Sequence, residues 1–393
     1  DSMHIIGGLV KTMMERLNGT SVSERTTHKL PEQTLKVISQ RLDNCCPYCP
    51  ADFARQPVPL TLLGSWKMVE CRQFLLYLCV VVLRGAISEH QLHHFHLLVV
   101  AMRFMCRRLP DSPHERRDSA KRIAEHCRFL LKKFVYLGNQ LYTELFSVYN
   151  AHIITHIPDD YELFALPLDF LSAYRFENAN GHLKHLITGH FQPLTQVQNK
   201  VSSLVHTKLY GRMERNKKMY SVEEYYEIPD LRTSKGIENC NDNSDYENNE
   251  LESSIRLERF EEMRFRNFLL RTDTKSDCYV YMIQEHCDSF VKLEKILQNT
   301  DTENIFFIGK KFEHAEPLFS LGDDFHFDSM HAGIQVCTHL SESTYTFPFS
   351  ALNEKCFALP LNLDNPKFST RWVLQRLLTL KHLFCKYVQV TVN

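Results

Sequence analysis

No stretch of this 393-residue sequence is long and apolar enough to span a bilayer. The longest apolar run, FLLYLCVVVL (Phe74 to Leu83), is about half of what a membrane helix needs and reads as a buried core helix. The first residues carry neither the basic n-region nor the apolar h-region of a secretory signal. A charge excess of one sign is missing as well. Lys and Arg number 46 against 47 Asp and Glu, for a formal net charge of -1, so no global field draws the chain to nucleic acid or to a membrane. Any nucleic-acid surface must be a local patch. There is no GxxxxGK[ST], GxSxG or HExxH, and Gly7-Gly8 is a lone pair that forms no phosphate loop. No repeat or low-complexity array occurs. These absences point away from a secreted or membrane-spanning protein and lead us to expect a nuclear or cytoplasmic one.

Apolar residues make up 44% of the chain, enough for a real core, and the length gives room for two or three domains. The 13 cysteines are scattered, and most sit in apolar runs such as LLYLCVVVL and HLFCKYV. That suits buried, reduced thiols better than a disulfide framework. Histidine is abundant at 20 residues, so some clustering without a site is expected.

The first two hundred residues read as helices. Ile6, Leu9, Val10, Met13, Met14 and Leu17 recur at helical spacing. A second amphipathic helix covers Leu30 to Leu42. Asn44 to Pro59 holds four prolines and reads as a loop. Helices are expected at about 66–84, 88–108, 115–136 and 139–156; PDDYE (Pro158 to Glu162) breaks the pattern, and helices resume at about 168–190 and 193–206. Residues 207–276 read as a linker, first basic, then acidic and Asn-rich, with a short helix at about 255–270. From 277 to 365 short β-branched or aromatic runs alternate with turn residues: CYVYMI, FVKLEKIL, NIFFIGKKF, IQVCTHL, TYTFPF and KCFALPLNL. They predict a small antiparallel β-barrel-like domain. Residues 366–393 read as a closing helix. The expected class is mainly α followed by a small β domain, α+β overall.

Four segments carry a resemblance. LDFLSAYRFENANGHLKHLITGHFQPLTQVQNKVS (Leu168 to Ser202) resembles the FPFE…LK…P…Q segment of CACTA-type (En/Spm-like) DDE transposases and of animal proteins derived from them. DSMH at the start resembles that family's Asp-x-Met-His motif. PADFARQPVPLTLLGSWKMVECRQFLLY (Pro50 to Tyr77) resembles its FaR…wKa.EfRqfLLY block, and YNAHIITH (Tyr149 to His156) its yN.H.l.H helix. The four occur in the family's order over residues 1–206.

The resemblance implies an interrupted RNase H-like core with a helical insertion. It implies two Mg²⁺ ions held by three carboxylates for in-line attack at a DNA phosphodiester. Carried over, the second acid falls on Asp1, the motif histidine on His4 and the third acid on Glu177, with Asp159, Asp160, Glu162 and Asp169 as rivals. The first acid has no counterpart here, so Asp1 is expected to be internal to a longer transposase of which this chain is the C-terminal part, inactive by itself. DNA at transposon ends and a second copy of the chain are the implied partners.

Other candidates stand on the residues alone. Cys46 and Cys49 form a CxxC half-site, and His152 and His156 share a helical face, a combination that suits structural zinc; packing in the helical core explains the histidines equally well. The HQLHHFH cluster (His90 to His96) mixes faces. Lys184, Lys200, Lys208, Arg212, Arg215, Lys217 and Lys218 are either a solvated charged face or a stripe for DNA phosphates. Three functions remain open: a transposase-derived piece with ancestral Mg²⁺-dependent strand cleavage and transfer, a domesticated DNA- or protein-binding module, and a decaying transposon copy.

Overall fold

The computed structural model describes residues 2–19, 29–142, 146, 149–173, 180–181, 183–203, 230–238, 257–265, 268–284, 288–300, 302, 304–322, 325 and 327–378. Two compact units divide the chain: Asp1–Leu171 with Pro229–Phe384, and Ser172–Ile228 with Cys385–Asn393. Among the described residues of the second unit, 180–181, 183–186 and 193–203 are helical.

The first unit begins with α1 (Ser2–Asn18), whose Ile6, Leu9, Val10, Met13, Met14 and Leu17 are all buried, as their spacing requires. α2 (Glu32–Cys45) follows. The 66–84 helix runs as α3 (Met68–Gln73), one π-turn (Phe74–Leu78) and α4 (Cys79–Val82). α5 (Glu89–Cys106) starts at Ser88, whose hydroxyl accepts the Gln91 N–H while the Gln91 side chain reaches back to the Ser88 N–H. It is buried nearly all round, since it runs between α6 (Pro113–Leu141) and the β strands.

The expected 139–156 helix is not continuous. α6 ends at Leu141, and α7 (Tyr149–Ile153) leads into a 3₁₀ turn, Ile154–His156. Nor does PDDYE break the helical run. It lies inside α8 (Ile157–Phe164), where Pro158 occupies the first turn and gives up no needed N–H. α9 (Leu168–Leu171) closes the helical part.

The β strands are β1 (Asp230–Glu238), β2 (Leu257–Phe265), β3 (Phe268–Arg271), β4 (Tyr279–Met282), β5 (Ser289–Asn299), β6 (Ile305–Pro317), β7 (Ile334–Leu340), β8 (Tyr345–Pro348), β9 (Leu352–Pro360) and β10 (Arg371–Arg376). β5, β4, β9, β10, β7 and β6 pair in that order, and β6 returns to β5, so six antiparallel strands close a barrel. β2 extends β5, β1 and β3 pair with β2, and β8 pairs with β6. Gly309 permits the close β5–β6 approach, because a Cβ there would meet the Lys292 carbonyl oxygen at 2.5 Å. Phe290, Val291, Leu293, Phe307, Cys337, Phe347, Cys356 and Leu374 pack in the barrel's core. The chain is thus α+β with a small barrel.

Two expected helices are strands. Residues 255–270 form β2 and β3. In β2 the buried Phe260 and Met263 stand three apart because the register with β1 slips at this point, so Arg232 and Thr233 face Glu262 and Phe260. A bulge of one residue turns period two into an apparent helical period. Residues 371–376 form β10, where Val373, Leu374 and Gln375 are all buried. A strand covered on both faces does not alternate and reads like a buried helix. The rest of the expected closing helix, 379–393, lies outside the described residues. Strand pairing also begins at β1, well before residue 277.

Candidate functional site

Within the first unit, helices that carry or adjoin the transposase-like segments, α1, α3, α7 and α9, make contacts with one another. α1 runs against α3, where the space a Gly7 Cβ would take is filled by Met68. Beside it, a Cβ on Gly8 would lie 2.8 Å from Nδ2 of Asn150, the asparagine of YNAH. Arg72, the arginine of CRQFLLY, gives a two-pronged ion pair to Asp169 of LDFL, with Nη2 2.8 and 2.9 Å from the two carboxylate oxygens and both side chains buried. Burial pushes the Asp169 carboxyl up, and Arg72 opposes it. The guanidinium is held cationic by Asp169 although burial disfavours its charge.

The Pro50 to Tyr77 block also fastens the helices to the barrel. Asp52 Oδ1 accepts the Leu269 N–H at 2.9 Å, and Asp52 Oδ2 lies 2.5 Å from Nζ of Lys355 on β9. The same ammonium is 2.5 Å from Asp277 Oδ1, and it donates to the Leu269 carbonyl. Asp277 further accepts the Ala51 N–H at 3.0 Å and the Ser276 hydroxyl at 2.9 Å. Lys355 is wholly enclosed, and such a charge is tolerable only because it is paired and its donors are spent. Phe53 packs edge-on against Tyr77 and Phe357. Tyr77 completes the seam: its carbonyl accepts Gln375 Nε2 and its hydroxyl accepts the Leu378 N–H.

Arg103 of α5 makes a second fastening by other means. Its fully buried guanidinium donates to the carbonyls of Ala332 at 2.7 Å, Leu76 at 2.8 Å and Arg376 at 2.8 Å. Burial pulls it down to about 10. Arg103, Lys355 and Arg72 were not candidates in the sequence. For Arg103 the signal is a lone cation inside an apolar run, VVAMRFMC; Arg72 and Lys355 have polar neighbours in sequence and carry no such mark.

The sequence candidates divide as follows. Asp1, Glu177, Lys208, Arg212, Arg215, Lys217 and Lys218 lie outside the described residues. His4 is exposed on the first turn of α1. Three rival acids are taken by arginines: Asp169 by Arg72, and Asp159 and Glu162 by Arg128. Lys184 is exposed and Lys200 half-buried.

The zinc quartet is not assembled. Among the described residues no group of three or more His, Cys, Asp or Glu is placed to hold a metal ion. Cys49 accepts Gln73 Nε2 at 3.0 Å, and burial pushes its thiol up to about 12, which opposes the thiolate that zinc requires. Cys46 faces the carbonyls of Leu42 and Pro57. His152 and His156 do share a face, with ring centroids 5.3 Å apart, and both are exposed. In the histidine cluster, His94 stacks on Phe134 and His96 on Phe319, each on a different side of α5. The ten described cysteines are free thiols, all buried but Cys46. Among the described residues no helix is long and apolar enough to cross a membrane.

In comparison with known families, residues 238–374 match a family described as Domain of unknown function (DUF8592). That segment covers β2 to β9 and most of β10, the barrel with its flanking strands. No curated protein and no solved structure matches the chain.

Proposed function

We propose that this chain derives from a CACTA-type DDE transposase and that its 393 residues act as a DNA-binding module. One observation carries the reading. The block around Arg72 and the start of the Leu168–Ser202 segment meet through Arg72–Asp169, and α1, which continues from DSMH, lies against α3 and α7 at Gly7–Met68 and Gly8–Asn150. Binding is favoured over strand transfer because three of the four rival acids, Asp159, Glu162 and Asp169, are committed to arginine partners, and the fourth, Asp160, is exposed on α8. The Mg²⁺ that the resemblance implies would be held by Asp1 and Glu177, both outside the described residues, and we assign no step to the ion.

The basic stretch from Lys184 to Lys218 is the surface we assign to DNA. Neutralising phosphates gains affinity by releasing counterions and confers little sequence selection. Duplex binding, followed by fluorescence anisotropy, is expected to weaken steeply as salt rises. Replacing Lys184 and Lys200 by Glu should lower both the affinity and the salt slope, the slope by about 0.9 for each phosphate that is no longer neutralised. Duplex affinity that is undetectable at low salt, or indifferent to both substitutions, overturns the assignment. Nicking of plasmid DNA that requires Mg²⁺ and vanishes in E177Q would restore the catalytic reading.

A further inference from the structure

Arg107 follows directly on α5, and its guanidinium is mostly withdrawn from water without a carboxylate of its own. Its Nη2 is buried and has no hydrogen-bond partner among the described residues. Arg376, at the end of β10, points to the same spot. A Cβ built on Gly333 would lie 3.0 Å from Arg107 Nη2 and 3.0 Å from Arg376 Nε, so these two donors stand within about 6 Å of each other. Gly333 has φ +72°, so a side chain there would be strained as well as obstructed by the two guanidiniums.

The charges around this spot do not balance. Arg103 lies behind it, its Nη2 donating to the Arg376 carbonyl at 2.8 Å, with Gly333's carbonyl at 3.4 Å. The nearby carboxylate is Glu354 of β9, whose Oε2 is 3.5 Å from Arg376 Nε. Tyr281 lies under Arg376, guanidinium carbon to ring centroid 5.0 Å, and gives its own proton to Asp288 at 2.8 Å. Three guanidiniums therefore face one carboxylate at the seam between α5 and the barrel. Burial pulls Arg107 down to about 9, and the charges of Arg376 and Arg103 add to that effect, while Glu354 opposes it.

We propose that Arg107 and Arg376, over Gly333, form a binding site for a small tetrahedral oxyanion of the phosphate class. Such an anion would accept from the orphaned Arg107 Nη2 and from Arg376, offset the excess positive charge, and need no deprotonation of either group. The site is recessed: Arg376 is about one-quarter exposed and Glu354 about one-third. This fits a free anion or the terminal phosphate of a small molecule better than the broad face of a duplex. The inference is independent of the DNA-binding reading, which rests on other residues.

Titration calorimetry of the full chain with inorganic phosphate, at ionic strength held constant with chloride, tests it. The unsubstituted protein is expected to bind one phosphate. R107Q, which removes the orphaned donor and its charge, should weaken binding about tenfold or more. E354Q keeps all three guanidiniums, removes the competing carboxylate and should tighten binding several-fold, so it decides the matter even where R107Q does not fold. Replacing phosphate by a phosphate monoester of a small alcohol distinguishes a free-anion site, which loses affinity, from a site for a phosphorylated molecule, which keeps it. Three outcomes overturn the proposal. They are no saturable binding at tens of millimolar phosphate, equal affinity in all three proteins, and a loss of duplex DNA binding in R107Q without any phosphate binding, which would hand these arginines to a nucleic-acid backbone.

Discussion

The ammonium of Lys355 lies 2.5 Å from a carboxylate oxygen of Asp52, a residue 303 positions earlier in the chain. The pair joins the loop after α2 to the barrel. With Asp277 on the other side, also at 2.5 Å, the ammonium is held between two acids. Removing it leaves two buried carboxylates facing each other. K355M is therefore expected to cost about 3–5 kcal/mol, the range for breaking a buried pair by deleting one partner. D52N keeps a one-to-one pair of Lys355 with Asp277, and its amide oxygen can still take the Leu269 N–H, so it should cost less than K355M. Urea unfolding of both variants checks the order. A K355M protein as stable as the parent would mean that the triad does not hold the seam.

Asp169 bears on function as well as on stability. It was one of the acids that the transposase resemblance left open as a metal ligand. Its two oxygens are instead spent on Arg72. D169N should then destabilise the chain by about 3–5 kcal/mol, and the loss should be the same with and without Mg²⁺. A stability or DNA-binding defect in D169N that grows with Mg²⁺ would return Asp169 to the set of ligands. The double variant R72M/D169L removes both charges and should recover much of the loss, because no unpaired buried ion remains.

Part of the helical half was legible because one face of a helix is wet. α1 shows it plainly: six apolar positions at helical spacing, all six buried. The six strand-like runs after residue 277 were legible for the matching reason, as each became a strand of the barrel or its edge. Legibility failed where a local rule was overridden. The bulge in β2 disguised a strand, the doubly covered β10 lost its alternation, and Pro158 began a helix where a break was expected. The site was harder still. Motif residues were recognisable one by one, but the pairing of Arg72 with Asp169 spans 97 positions. The arginines at Gly333 belong to no motif, and only the fold makes them neighbours.

Gly138 is a case in which helix propensity points the wrong way. It lies inside α6, where Ala in place of Gly ordinarily gains about 1 kcal/mol. Here a Cβ would run into the ring of Phe146, which is buried against His94, Phe134 and Tyr142. The ring is packed by those neighbours and cannot withdraw as a flexible chain end would. G138A is expected to destabilise by about 1–3 kcal/mol through overpacking, read as a lowered urea midpoint with an unchanged slope. The smaller side chain in G138A/F146L should restore part of it. A stabilised G138A would show that Phe146 is free to move.

His94 and His96 make the fold sensitive to acid. Burial pulls His94 down to about 4 and His96 down to about 3. His94 uses Nε2 on the Phe134 carbonyl at 2.8 Å, and its Nδ1 is buried without a partner, so a second proton would place a charge where nothing accepts it. The sign follows from linkage. Below an ordinary histidine value of about 6.5 the unfolded chain binds protons that the folded chain refuses, so stability falls as pH falls. The slope should approach about 1.4 kcal/mol per pH unit for each histidine between about pH 6.5 and pH 4, and level off below the folded values. Carboxylates contribute mainly at the acid end of that window. H94Q/H96Q should therefore flatten the upper part of the profile, even where it lowers stability at neutral pH through weaker stacking on Phe134 and Phe319. An unchanged slope in the double variant would place the acid sensitivity elsewhere and mean that both imidazoles find a proton acceptor on folding.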